Sequence, residues 1–409
     1  MRNKSESIER WRDATLGDIA KIVAGQSPSS STFNTSRTGL PFFQGKTDFG
    51  SRYPIPMTWC SDPTKVAPKG SILFSVRAPV GDVNVASSEC AIGRGLAAII
   101  AFRADNEFLY QLLRSKKGEF QRISQGSTFE AVSATAISEF QISVPPLAEQ
   151  QKIAEILTTV DEVIEYTEAE ISKLEDLKKA TMNEFLTKGI GHTEFKETEI
   201  GRIPKSWEVK ALQEIVEDRG IQTGPFGSQL HAAEYVGSGV PVVMPTDIDG
   251  GRINIDSAAK ITTEKSIELS RHLLRVGDII FSRRGDVGRT AVVDARSAGS
   301  VCGTGCLRAR LNKRLSDADY IACYLLKDYA QQWLKLHAVG QTMPNLNTQI
   351  VGALPIVLPP FDEQVQIAAF IHAIRYEAEL RRTKLRSFAS LRRALMEDLL
   401  TGKVRVKVN

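Results

Sequence analysis

The stretch VPPLAEQQKIAEIL (Val144–Leu157) recurs as LPPFDEQVQIAAFI (Leu358–Ile371), 214 positions further on. Carried without a gap over Pro145–Thr187 and Pro359–Thr401, the match gives twelve identities in 43 positions. They are the Pro-Pro, Glu-Gln and Ile-Ala pairs, then Glu165/Glu379, Leu177/Leu391, Ala180/Ala394, Met182/Met396, Leu186/Leu400 and Thr187/Thr401. Unrelated helices of similar composition seldom share P-P-x-x-E-Q-x-x-I-A in register, so the chain carries an internal repeat.

Both copies read as long helices. The paired prolines favour an extended entry, and proline suits the first helical turn, where its missing N–H costs nothing. Glu149 and Glu363 fall in that turn, where a carboxylate meets the positive end of the macrodipole. Apolar positions then alternate by four and three: Ile153, Leu157, Val160, Ile164, Ile171 and Leu174 in one copy. The other has Ile367, Ile371, Ile374, Ala378, Leu385 and Phe388. This is the spacing of a seam between two helices, interrupted at matched places by Thr167 and Arg381 and by Lys178 and Arg392. Each helix of about 40 residues is roughly 60 Å long at 1.5 Å per residue.

Residues 149–188 carry ten acidic and five basic groups, and residues 363–402 five acidic and seven basic. Complementary flanks favour pairing of one helix with the other. An antiparallel pair lets one helix lead out of a first globule and the other lead back from a second, whereas parallel pairing needs a long return connection. The expectation is a pseudo-twofold dumbbell roughly 60 Å long.

The globules repeat as well. GSILFSVRAPVG (Gly70–Gly81) is echoed by GDIIFSRRGDVG (Gly277–Gly288), and PFFQGKTD (Pro41–Asp48) loosely by PVVMPTD (Pro241–Asp247). GSTFEAVS (126–133) is echoed by GQTMPNLN (340–347), and the W-x-x-x-x-L-x-x-I of Trp11–Ile19 returns at Trp207–Ile215. The predicted organisation is a first globule over 1–144, a helix over 145–190, and a linker over 191–204 within GIGHTEFKETEIGRIP. A second globule over 205–358 and a second helix with its tail over 359–409 complete it. The fold class is α+β: two similar mixed α/β domains separated by two long antiparallel helices that form an intramolecular coiled coil. Within the globules, ILFSV and IIFS are short β-rich runs, and Asp278–Ser282 and Thr290–Asp294 read as paired strands of a mainly antiparallel sheet. Asn106–Arg122 and Asp317–Leu336 read as amphipathic helices.

Composition bounds the class of protein. At 409 residues, 42% hydrophobic and 24% charged, the chain suits two or three ordinary globular domains. A formal charge of +4 is too small to imply nucleic acid by itself. Five cysteines, an odd number with no C-x-x-C pair, point to reduced thiols rather than disulfides or zinc. The charged start MRNKSESIERWRD lacks a signal peptide's apolar core, and no run approaches the length of a membrane span. A soluble, cytoplasmic protein is expected.

No G-x-x-x-x-G-K-[ST], H-E-x-x-H or G-x-S-x-G motif occurs, and the five histidines are scattered. IGRGLAA (Ile92–Ala98) lacks the spacing of a cofactor loop. No catalytic or metal-ligating residue is assigned. What remains is recognition capacity. Arg283, Arg284 and Arg289 sit in an apparent loop, with Arg77 at the equivalent place in the first half. Their guanidinium forks suit guanine edges and phosphates, although a local salt bridge to Asp286 or Asp82 is an equally natural use. Gln44 with Lys46, and Gln341 with Thr342, are further loop candidates, and Arg94 is a weaker one beside a strand.

With its doubled P-P-[LF]-x-E-Q-x-x-I-A motif, each copy opening a long helix after a globule, the chain resembles the specificity subunit of type I restriction–modification systems. AGQSPSSSTFNTSRTGLPFFQGKTDFG (Ala24–Gly50) and TGPFGSQLHAAEYVGSGVPVV (Thr223–Val243) resemble the openings of that family's target-recognition domains. The similarity spans essentially the whole chain. It implies a non-catalytic subunit whose two domains each read one half of a split double-stranded DNA site. The paired helices would then be spacer and dock for two methyltransferase subunits, at Pro145, Pro146, Glu149 and Gln150 and again at Pro359, Pro360, Glu363 and Gln364. Restriction subunits can add to that core, and AdoMet, ATP and magnesium would belong to the partners. The competing readings are a specificity module of a fused restriction–methylation system and a coiled-coil scaffold without base readout.

Overall fold

The computed structural model describes residues 10–125, 131–340 and 344–408. The chain divides into two compact units, Met1–Ala169 with Arg382–Asn409, and Glu170–Arg381. The boundary falls inside both long helices, Leu147–Lys188 and Phe361–Leu400, so each unit owns the start of one and the end of the other.

In the first unit an antiparallel sheet runs in the order Ala20–Ala24, Leu96–Ala101, Ile72–Ser75, Val83–Val85. The second unit repeats it as Val216–Thr223, Cys306–Leu311, Ile279–Ser282, Thr290–Val292. The strand pair expected around RRGDVGR is the last of these pairings. A second sheet in each unit contains one parallel pair, Leu40–Phe43 with Cys90–Ile92 and Val240–Val243 with Val301–Cys302. A two-stranded ribbon joins the start of each domain to the strand that feeds its helix: Arg12–Thr15 with Gln141–Val144, and Glu208–Ala211 with Pro355–Leu358.

Each core takes in both helices. Ile153, Ala154 and Leu157 with Leu399 and Leu400 are buried among Phe74, Phe108 and Phe120 in the first domain. Ile367, Ala368 and Ile371 with Leu186 occupy the matching places around Phe281, Tyr320 and Tyr324. A side chain of this size contributes about 1.5–3 kcal/mol when fully buried, so the helix ends are integral to the domains. Within each unit the segments of the two long helices pack antiparallel. In the first unit Asp161 accepts from Arg392. In the second, Arg381 pairs with Glu170 at 2.8 Å, and Phe185 meets Phe370 edge-on at 5.5 Å. The charge complementarity thus appears as specific pairs, and two arginines that interrupt the heptads are neutralised by the opposite helix. Thr167, the buried interruption, donates its hydroxyl to Val163 O of its own helix at 2.7 Å.

Three local expectations change. The stretch read as a linker folds as a hairpin, Phe195–Thr198 against Gly201–Pro204, closed by a Thr198 hydroxyl bond to Gly201 O. Asn106–Arg122 and Asp317–Leu336 each break into two helices, Asn106–Ser115 with Lys117–Gln125 and Ala318–Leu325 with Asp328–His337. Lys327, at ψ 146°, leaves the helical region and restarts the chain. The long helices begin after the prolines rather than on them, with Pro146 O and Pro360 O accepting the first helical bonds from Gln150 N and Gln364 N. No helix among the described residues is long and apolar enough to cross a membrane.

Candidate nucleic-acid interface

The two sheets of each domain meet at a G-x-G turn, Gly93-Arg94-Gly95 and Gly303-Thr304-Gly305. Three loops hang on it by backbone bonds. In the first domain Gly25 N donates to Leu96 O, Val76 N to Gly95 O, and Gly95 N to Gln44 O, at 2.9–3.1 Å. In the second, Gly224 N donates to Cys306 O, Arg283 N to Gly305 O and Gly303 N to Val243 O, at 2.8–3.0 Å. Glycine is required here: a Cβ on Gly25 would stand 2.2 Å from Gly93 O, and one on Gly224 only 1.9 Å from Gly303 O. One end of each domain is therefore a fixed turn surrounded by loops free to differ. The sequence reading set IGRGLAA aside as a cofactor loop, and its echo CGTGC at 302–306 is the signal that marks the turn.

The loop candidates gather at these ends. Arg77 and Arg284 are both exposed, and each sits on an isolated antiparallel bridge, to Ala131 and Asn345 respectively. Neither makes an ion pair among the described residues. Arg94 is exposed at the centre of its turn, and its N–H reaches the Ser27 hydroxyl at 3.4 Å. Gln44 Nε2 donates to the same hydroxyl at 3.2 Å.

Other candidates are engaged within the chain. Lys46 pairs with Asp82 at 2.9 Å, and Arg289 pairs with Asp286 at 2.7 Å, the local salt bridge that competed with a DNA role for the arginines. Arg283 is half-buried and bonds Asn345 Oδ1 and Leu346 O at 3.1 Å, and burial beside Arg284 lowers its pKa. It ties two loops together. Gln341 and Thr342 lie outside the described residues.

The repeated Glu-Gln pair turns inward. Glu149 is buried, and accepts from the Trp11 indole at 3.1 Å, Arg405 twice at 2.8 Å and Val406 N at 3.2 Å. Burial alone would raise its pKa, but Arg405, the Val406 N–H and Trp11 hold the carboxyl below its usual range. Glu363 repeats this with the Trp207 indole at 2.9 Å, Ile190 N at 3.0 Å and His192 Nε2 at 2.8 Å. Gln150 and Gln364 accept from Asp105 N and Asp317 N, the N-caps of two domain helices, and donate to Pro145 O and Pro359 O. Each motif thus clamps the domain's tryptophan to its own helix and to the chain leaving the other helix. Gly189 (φ +70°) and Gly402 (φ +72°) end those helices against Trp207 and Trp11. The duplicated stretch is legible as a structural joint only once the partners are seen, because Trp11 lies 138 positions from Glu149.

Burial pushes the Cys302 thiol up to about 12. Among the described residues no three His, Cys, Asp or Glu side chains are gathered as a metal would need.

The type I restriction modification DNA specificity domain matches twice, over residues 8–176 and 204–387. The chain belongs to that family. It is similar to the MjaIX type I restriction enzyme specificity subunit of Methanocaldococcus jannaschii, with 24% identity, 97% of this chain and 94% of that one covered. The MjaX specificity subunit of the same organism is 41% identical over 186 residues, of which this chain spans 44% of the relative's length. In fold it is similar to the type I S subunit of M. genitalium, with TM-score 0.62, 15% identity and 98% of both chains covered. These relatives are specificity subunits, and this chain is a non-catalytic DNA-recognition subunit of the type I class.

Proposed function

We propose that each domain reads one half of a bipartite duplex site through its G-x-G end, and that the long helices dock two copies of one methyltransferase subunit. The domains supply the divergent chemistry and the helices set the spacing of the half-sites. AdoMet, ATP and magnesium are assigned to the partner subunits, and a restriction subunit would join that core.

The observation that carries the two-copy reading is the placement of exposed apolar side chains on the helices. The first unit presents Leu147, Tyr166 and Leu391, and the second presents Phe361, Leu380 and Leu177, all exposed. These are the same three repeat positions, 214 apart, left uncovered in both units. Uncovered apolar groups on helices that already pack on each other mark an interaction surface. This replaces Glu149, Gln150, Glu363 and Gln364 as the docking groups, since their polar atoms are committed to the joints.

Leu147→Asp should remove one methyltransferase subunit from the purified complex, Phe361→Asp the other, and the double variant both. Native mass measurement reads the stoichiometry directly. Full occupancy in the double variant, with unchanged circular dichroism, would sink the docking surface.

A further inference from the structure

Resting on the reading that the G-x-G ends face DNA, we propose that the two domains read bases by different chemistry: the second makes an apolar contact to a thymine methyl through Phe226 and Met244, where the first uses the hydrogen-bonding groups of Gln44 and Arg94.

The hub bonds fix which residues correspond. Gly25 and Gly224 make the same bond, so Ser27 and Phe226, each two residues on, are equivalent. Gln44 and Met244 each directly follow the strand beside the turn, and both cover its first glycine. A Cβ on Gly93 would stand 2.9 Å from Gln44 Oε1, and one on Gly303 2.4 Å from Met244 Sδ. Arg94 and Thr304 are the central residues of the two turns. The first domain thus presents a hydroxyl, a carboxamide and a guanidinium, with Ser27 already bonded to Gln44 and to the Arg94 N–H. The second presents a phenyl ring, a thioether and a threonine in the same three places.

Phe226 is the more telling group, because it is 56% exposed while Gly224 and Pro225 before it are buried. The loop closes on itself at Phe226: Phe226 N donates to Gln229 Oε1 at 3.1 Å, and Gln229 N donates back to Phe226 O at 2.8 Å. The Arg283–Arg284 loop hangs on the same turn through Arg283 N on Gly305 O. An apolar group cannot read donors and acceptors, and the major groove offers one base feature that has neither, the C5-methyl of thymine. Gln44 suits adenine N6/N7, and Arg94 suits guanine O6/N7.

The test uses the complete complex with its modification subunits and duplexes carrying the half-sites that a methylation map defines. Each thymine is replaced in turn by deoxyuridine, which removes only the methyl group. One replacement in the second half-site should weaken binding about fourfold, the worth of one buried methyl-sized group. None in the first half-site should matter. In the variant Phe226→Ser with Met244→Gln, which installs the first domain's side chains, thymine and uracil duplexes should bind alike. The proposal is overturned if uracil binds as well as thymine throughout the second half-site, or if the fourfold loss survives in the double variant. A loss on Phe226→Ser without sensitivity to the methyl would equally overturn it, in favour of stacking. Arg77→Ala and Arg284→Ala separate this from the underlying reading: if both leave binding unchanged, it is the DNA-facing end that is wrong.

Discussion

The two domains share a scaffold and differ in what they place on it. Sheet order, the G-x-G hub and the Glu–Trp joint are repeated almost bond for bond. The central strands are not: Ala98 and Ile100 of the first domain become Arg308 and Arg310 in the second, and Ser71 becomes Asp278. Arg310 and Asp278 form a buried pair at 2.8 Å, while Arg308 donates to Gln222 Oε1 at 2.8 Å and to Gly220 O at 3.3 Å. One fold therefore tolerates an apolar sheet and a charged one, provided the charges arrive together. Backbone bonds at the hub hold the geometry, which frees side chains to change.

The largest expected effect comes from breaking that buried pair. Asp278→Ala should cost about 3–5 kcal/mol, because Arg310 is left uncompensated in a nearly dry site. Asp278→Ser with Arg310→Ile, the first domain's solution, should recover most of the loss. Denaturant unfolding measures both, and a double variant no better than the single one would show that the domains are not interchangeable at the sheet.

The joints come next. Glu363→Ala strands the indole N–H of Trp207, which is fully buried, and should cost about 3 kcal/mol. Glu149→Ala should cost about 2 kcal/mol, since Trp11 is only half-buried and Arg405 reaches solvent. Equal losses in thermal unfolding would remove the distinction drawn between them.

Smaller still are the DNA contacts. Arg77→Ala and Arg284→Ala should each relax discrimination at their own half-site by about 1–3 kcal/mol, if the guanidinium is bidentate to a base. Competition binding against mismatched duplexes distinguishes this from a loss uniform over all sequences, which signals a phosphate contact.

The smallest effect is a pH slope. Glu149 has its folded pKa depressed, so the stability it adds is complete above the ordinary glutamate value of about 4.3 and is lost as pH falls through the folded value. Glu149→Gln should flatten the acid limb of the stability curve below about pH 4.5. An unchanged acid limb would mean that other carboxylates dominate there.

Much of this architecture was readable in the chain because helices and repeats are written locally. Heptad spacing, the doubled motif and the opposite charge balance point to paired helices. The hairpin at 195–204 was missed because its short strands sit in a run of charged and turn-forming residues. The role of Glu149 and Glu363 was missed for a different reason: their partners are distant in sequence, and a carboxylate in a first helical turn already has a sufficient local explanation. The proposed DNA-facing loops are a mixed case. Arginines in echoed loops can be found by eye, but only the structure separates Arg77, Arg94 and Arg284 from Lys46, Arg283 and Arg289, which are committed elsewhere. Nothing in the sequence tells an exposed phenylalanine such as Phe226 from a buried one.

The central claim is that each domain reads its own half-site independently, and a methylation map tests it most directly. Residues 1–140 are exchanged for the first domain of another specificity subunit, and the modified bases are mapped genome-wide with the native methyltransferase partner. The account predicts a new first half-site joined to an unchanged second one. A map in which both half-sites change, or in which the original site persists whole, would contradict it.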